Sequence, residues 1–172
     1  MDVRVRAEEE GDVERTFSVV ESAFGSRLEA DLVNALRRSA DPQLSLVAEA
    51  HGTVVGHVFF SPSTIESDRP VPPVAQLAPV AVLPDHQRRG VGSELIRVGL
   101  AQCRAIGWSA VFLVGNPTYY SRFGFQMAAP LGFSYPGPLD PYLQLVELDA
   151  GVLSGLSGLI RLHPAFAEVG AE

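Results

Sequence analysis

Leu77-Ala-Pro-Val-Ala-Val-Leu-Pro-Asp-His-Gln-Arg-Arg-Gly-Val-Gly-Ser-Glu-Leu95 runs from an apolar stretch through a polar turn into a segment of helical period. Residues Ala75 to Leu83 read as a strand. From Gly90 to Ile106, Leu95, Ile96, Gly99, Cys103 and Ile106 fall on one face and Glu94, Arg97 and Arg104 on another, which predicts a helix beginning at the glycines. Gly107 suits its left-handed end. The first N–H groups of a helix lack intrahelical partners and carry the positive end of its dipole, so an anion placed there meets oriented donors. Gly90 and Gly92 permit close approach, and Arg88 and Arg89 add positive charge at the same place. A Gly-x-Gly alone reads as turn chemistry on a solvated surface. With the preceding strand and the arginines, the segment reads as a pyrophosphate cradle.

Upstream, Val3, Val5 and Ala7 alternate with Arg4 and Arg6, as in a strand with one buried face. Val13, Phe17, Val20 and Phe24 then recur at helical spacing, and Leu28, Leu32 and Leu36 continue as a second helix that Asp41-Pro42 stops. Leu44 to Ala50 and Thr53 to Ser61 flank His51-Gly52 and predict a hairpin. Downstream, Ala110 to Val114 suits a buried strand, and Asn116-Pro117 opens a brief helix through about Phe123. Tyr142 to Leu148 reads as a late strand and Leu159 to Leu162 as a short one. With 172 residues and no linker or repeat, one domain spanning 1–172 is expected.

Composition narrows the chemistry. A net charge of −7 argues against general nucleic-acid binding and leans towards amine-bearing partners. No apolar run is long enough for a membrane span and no signal peptide is visible, so a cytoplasmic location is expected. All 13 basic residues are arginines, which excludes a P-loop lysine and lysine Schiff-base chemistry within the chain. One cysteine, Cys103, gives no internal disulfide, and its place on an apolar helix face reads as a buried thiol. No Cys-x-x-Cys, His-x-x-x-His or Gly-x-Ser-x-Gly is present, so no metal site is expected and the simplest hydrolase reading falls away.

Val82-Leu83-Pro84 followed by Gln87-Arg88-Arg89-Gly90-Val91-Gly92 resembles the coenzyme A-binding motif of the GNAT superfamily of N-acetyltransferases. Tyr120-Ser121-Arg122-Phe123-Gly124-Phe125 resembles that family's Tyr-x-x-x-Gly-Phe segment, at a suitable separation. The Gly115-to-Phe125 stretch looks most like the YhbS-like branch. Over residues 3 to 148 the resemblance implies an α/β (α+β) fold: a central mixed, mostly antiparallel sheet with helices on both sides. It further implies acetyl-CoA as cosubstrate and an amine acceptor, whether small molecule, peptide or protein; a homodimer is left open. One departure is Leu113, where many members place a cofactor-contacting asparagine. Asn116 follows later and reads as a helix cap, with a cofactor contact as the alternative.

Acetyl transfer to an amine needs a neutral nucleophile, a polarised thioester carbonyl and a proton for the departing thiolate. The resemblance implies that the backbone of Val80, Ala81 and Val82 orients the pantetheine arm and that Gln87, Arg88, Arg89, Gly90, Val91, Gly92 and Ser93 hold the pyrophosphate. It makes Tyr120 the acid, although a tyrosine beside Tyr119, Phe123 and Phe125 also reads as aromatic core. Tyr119 reads as structural. The base stays open among Glu49, His57, Glu66, His86, Glu147 and a water chain, and residues 126 to 141 are expected to help wall the acceptor site. Two rival readings are a non-catalytic acyl-CoA-binding module and a transferase using another acyl chain or an oxygen acceptor.

Overall fold

The computed structural model describes residues 2–172. Nine strands form the sheet: β1 (Arg4–Ala7), β2 (Leu44–Ala50), β3 (Thr53–Glu66), β4 (Val74–Val82), β5 (Ala110–Val114), β6 (Gln126–Met127), β7 (Phe133–Ser134), β8 (Leu143–Glu147) and β9 (Gly158–Arg161). Their order is β1-β2-β3-β4-β5-β8-β6, with β9 on the far end of β3 and β7 beside β9. Along the main path only β4 and β5 pair in parallel. The mixed, mostly antiparallel sheet expected from the sequence is therefore present.

Helices α1 (Val13–Phe24) and α2 (Leu28–Ser39) cover one face, and α3 (Val91–Ile106) covers the other. Alternation along β3 serves both layers: Val58 and Phe60 pack with Leu95 and Ile96 of α3, while Phe59 packs with Val20, Leu32 and Leu36 of α1 and α2. A Cβ at Gly99 would collide with the Phe60 ring, so the missing side chain is what lets α3 lie so close to the sheet. Cys103 is fully buried in that layer, and burial pushes its thiol well above the ordinary range.

The structure departs from the sequence pattern in places that depend on distant partners. β3 runs to Glu66 rather than Ser61, because β9 supplies a new partner for Thr64 to Glu66 after β4 ends. A short helix α5 (Ala165–Glu168) had no clear periodic signal, yet Ala165 and Phe166 are buried against the α1–α2 layer. Phe24, Leu28 and Ile106 occupy apolar stripes but remain 44%, 38% and 43% exposed.

Candidate functional site

β4 and β5 begin as a parallel pair and then part. Their ladder joins Val74–Ala110, Ala75–Val111 and Gln76–Phe112 and stops there, whereas β4 continues to Val82 and β5 to Val114. On the other side, β4 stays paired with β3 but slips register: Val58 faces Val80 and Phe60 faces Leu77, so Phe59 alone spans Ala78 and Pro79. That is a β-bulge, and Pro79, which has no N–H to offer a ladder, is tolerated inside it. The result is a strand whose edge from Leu77 onward faces open space rather than a neighbouring strand. An extended ligand can pair with such an edge.

At the far end of this edge the chain turns into α3. Arg88 and Gly90 both have positive φ, 58° and 86°, and Gly90 caps the helix. The first in-helix bond runs from Glu94 N–H to the Gly90 carbonyl at 3.0 Å, leaving the N–H groups of Val91, Gly92 and Ser93 without intrahelical acceptors. Gln87 does not reach outward; its Nε2 donates to the Val82 carbonyl at 3.0 Å and ties the turn to the end of β4. A cleft of about 500 Å³ opens here, walled by Val82, the Gln87–Ser93 turn, Tyr119 and Arg122.

Tyr119 and Arg122 are the part of this cleft that sequence reasoning missed. The Tyr119 hydroxyl lies where a Cβ on Gly92 would come within 3.0 Å of it, so this tyrosine sits over the helix start. Arg122 stacks on the Tyr119 ring at 4.6 Å and its Nε donates to the Tyr119 carbonyl at 2.9 Å, which fixes a second arginine beside the cleft. In the Tyr120-to-Phe125 segment the aromatics carry the sequence reading, and the cation within it, Arg122, was the available signal. Arg89 is exposed and outside the cleft lining, and the side chains of Ala81 and Val91 point into the core, leaving only their backbone for a ligand. Arg88→Ala and Arg122→Ala are each expected to weaken binding of an anionic ligand about 2- to 10-fold at low salt, an effect that shrinks as salt is raised. Titration at two ionic strengths checks this.

A second cleft, about 400 Å³, opens on the other side of the strand split. Its floor is Leu77 to Val80 of β4 and Val114 of β5, and Tyr120 closes one side. The helix α4 (Pro117–Tyr120) sends its last two tyrosines into different clefts, Tyr119 into the first and Tyr120 into the second, with ring centroids 5.0 Å apart. Gly115 leaves the space the Tyr120 ring occupies. Burial, with Tyr119 adding to it, pushes the Tyr120 hydroxyl up to about 12, so at neutral pH it is protonated. The hydroxyl forms no hydrogen bond among the described residues, unlike a core tyrosine with a satisfied donor.

The expected wall from residues 126 to 141 does not line this cleft; Tyr135 to Leu139 line a neighbouring cavity of about 530 Å³ instead. The cleft is closed by Phe24, Leu28, Glu29 and Leu32 of the first two helices and by Phe166 and Gly170 to Glu172. Asn116 lies outside both clefts, and its Oδ1 accepts the Thr118 N–H at 3.0 Å, the capping role read from the sequence.

None of the five base candidates lines either cleft. Glu49 is bound to Arg6 at 3.0 Å and Glu66 to Arg161 at 2.7 Å, while Glu147 accepts the Leu153 N–H. His86 sits in the turn Pro84–His86. His57 is fully buried under the α1–α2 layer, and its pKa is pushed down to about 4, chiefly by burial. Its Nε2 lies 2.8 Å from Ser45 Oγ, which donates its own proton to Glu8; Nε2 is therefore the protonated nitrogen of a neutral ring. Glu8 in turn pairs with Arg37 at 2.7 Å, so this is a structural relay away from the clefts. Glu29 and Glu172, absent from the sequence-based candidates, are the carboxylates that do line the second cleft.

A sheet that splits beside a helix start with three unpaired N–H groups is the layout expected of the GNAT type, and comparison agrees. The family model for the acetyltransferase (GNAT) domain matches residues 4–128, and the chain belongs to that family. It is 43% identical over 120 residues to YjhQ, an uncharacterized N-acetyltransferase of Escherichia coli, covering 68% of this chain and 66% of YjhQ. To YhbS, an uncharacterized N-acetyltransferase of the same species, it is 34% identical over 152 residues, 87% of this chain and 89% of YhbS. The crystal structure of E. coli YhbS in complex with CoA superposes with TM-score 0.87 and 31% identity over 96% of this chain and 92% of that one. A GNAT family acetyltransferase from Brucella melitensis in complex with acetyl-CoA gives TM-score 0.78 and 34% identity, covering 96% of this chain and 98% of the other. Among the described residues no helix is long and apolar enough to cross a membrane.

Proposed function

We propose that the chain is one domain, 1–172, that transfers the acetyl group of acetyl-CoA to an amine. What carries the reading is continuity: the anion cradle at the start of α3, the unpaired edge of β4 and the free Tyr120 hydroxyl follow one another along the β4–β5 split. The pyrophosphate takes the N–H groups of Val91, Gly92 and Ser93, with Arg88 and Arg122 beside it and Gln87 bracing the turn. The pantetheine arm pairs with the open edge from Val82 back to Val80. That places the thioester where the two clefts meet. CoA and acetyl-CoA in the complexes of YhbS and of the Brucella protein support this assignment.

The amine nitrogen attacks the thioester carbonyl, the C–S bond breaks, and nitrogen sheds one proton while sulfur gains one. Tyr120 donates to the departing sulfur. A phenol held near 12 is a weaker acid than a thiol at ~8.5, so it surrenders its proton only as the proton shed by nitrogen replaces it. A water admitted to the second cleft would complete that path.

A ligand bound only by the native state stabilises it by about 2.7 kcal/mol at 100 times its Kd, or roughly 5–10 °C in Tm for a chain of this size. Acetyl-CoA is expected to produce a shift of that order, and ATP or NAD much less, in a thermal melt. Equal shifts for all three would remove the cofactor assignment. Acetyl-CoA binding without thiol release across a broad amine panel would instead favour the non-catalytic module. The chain contains no lysine, so modification of its own side-chain amines does not cloud such an assay.

A further inference from the structure

The two clefts carry opposite charge. Arg88 and Arg122 line the first, whereas the charged residues lining the second are Glu29 and Glu172. Glu29 is held in place, accepting the Ser26 hydroxyl at 2.9 Å. Glu172 stands between the second cleft and the neighbouring cavity, lining both.

Apart from Tyr120 and the open backbone edge of β4, the side chains lining the rest of the second cleft are apolar. Val80 and Val114 lie near Tyr120, and Phe24 and Leu28 form part of the lip. Helix periodicity would bury Phe24 and Leu28, yet they are 44% and 38% exposed. Large apolar side chains left in water beside a cavity gain from being covered.

We infer that the acceptor is a small apolar monoamine without a carboxylate: an alkylamine or arylalkylamine drawn in as its ammonium by Glu29 and Glu172, with its body covering Phe24 and Leu28. This rests on the transferase reading above, which fixes the end of the cleft that the reacting nitrogen approaches. An amino acid would bring its own carboxylate against two others, an unfavourable like-charge contact. A polyamine could set its further ammoniums against the two carboxylates but has no apolar body to cover Phe24 and Leu28. A cleft of about 400 Å³ suits a small molecule rather than a folded partner.

The test is isothermal titration of phenethylamine, phenylalanine and spermidine into the CoA-saturated protein. Phenethylamine is expected to bind at least ~10-fold more tightly than the other two. Glu29→Gln and Glu172→Gln should each weaken it about 2- to 5-fold, an effect lost at high salt, and Leu28→Ser should weaken it at any salt. Phenylalanine or spermidine binding as tightly as phenethylamine would overturn the inference, as would charge variants that change nothing. Transfer is read separately. Phenethylamine bound but not acetylated from acetyl-CoA would sink the transferase reading and leave the amine as a ligand of the cleft. Acetylation of spermidine in preference to phenethylamine would do the reverse.

Discussion

Replacing Tyr120 by phenylalanine is expected to slow the chemical step by roughly 10²- to 10⁴-fold, the range of a lost general acid, while acetyl-CoA binds almost as before. The ring keeps its contacts with Tyr119, Phe123 and Phe125, so the fold should hold. The deleted hydroxyl makes no hydrogen bond among the described residues, so stability should not fall by the ~0.5–1.5 kcal/mol of a lost internal bond. Single-turnover rates are the proper readout, because slow product release would mask the chemistry. The pH profile gives a second check. A hydroxyl that stays protonated to about 12 supplies no falling limb at moderately alkaline pH, so the wild-type rate should rise with deprotonation of the amine and then level off. A Tyr120→Phe rate equal to wild type would leave water as the proton source. Tyr119→Phe should behave oppositely, raising the KM for acetyl-CoA with little change in the chemical step, since that hydroxyl faces the cradle.

Gly92→Val should weaken acetyl-CoA binding by roughly 10- to 100-fold, equivalent to about 1.4–2.7 kcal/mol, with little loss of stability. A Cβ at this position meets Tyr119 Oη at 3.0 Å and Val82 Cγ2 at 3.7 Å, both lining the first cleft, so a valine side chain takes up space there. Gly90 is a less discriminating site. Its φ of 86° penalises any L side chain by about 1–2 kcal/mol, so loss of binding there mixes with loss of structure. Coupling sharpens the test: if crowding of Tyr119 is the cause, Tyr119→Phe should restore part of the affinity lost in Gly92→Ala, a non-additivity readable by calorimetry. Unchanged affinity in a folded Gly92→Val protein would remove the cradle from the account.

The cradle was legible in the sequence because its physics is local. A glycine at the helix start and the unpaired N–H groups behind it are set by a few consecutive residues, and so is the Asn116 cap. Tyr120 was legible through its motif, although its free hydroxyl was not. The parting of β4 from β5 was invisible, since neither strand records where its partner stops; Pro79 marked the bulge only once β3 was seen to span it. Phe24 and Leu28 misled for a related reason, because periodicity identifies a stripe but not the element meant to cover it. Here the described residues cover both only in part. Phe166 and Glu172 come from a stretch with little periodic signal and reach the cleft only by tertiary packing, while residues 126 to 141 line the adjoining cavity. Tyr119 and Arg122 belonged to a legible motif but gain their place from α3, far away in sequence.

The most direct test of the central claim is the position of the thioester sulfur in a crystal structure of this protein with acetyl-CoA or a non-hydrolysable analogue. The pyrophosphate is expected on the N–H groups of Val91, Gly92 and Ser93, the pantetheine along β4 between Val82 and Val80, and the sulfur within hydrogen-bond reach of Tyr120 Oη, about 3 to 3.5 Å. A cofactor bound in the cradle whose sulfur lies beyond reach of Tyr120, with the hydroxyl turned to a partner in the protein, would contradict it.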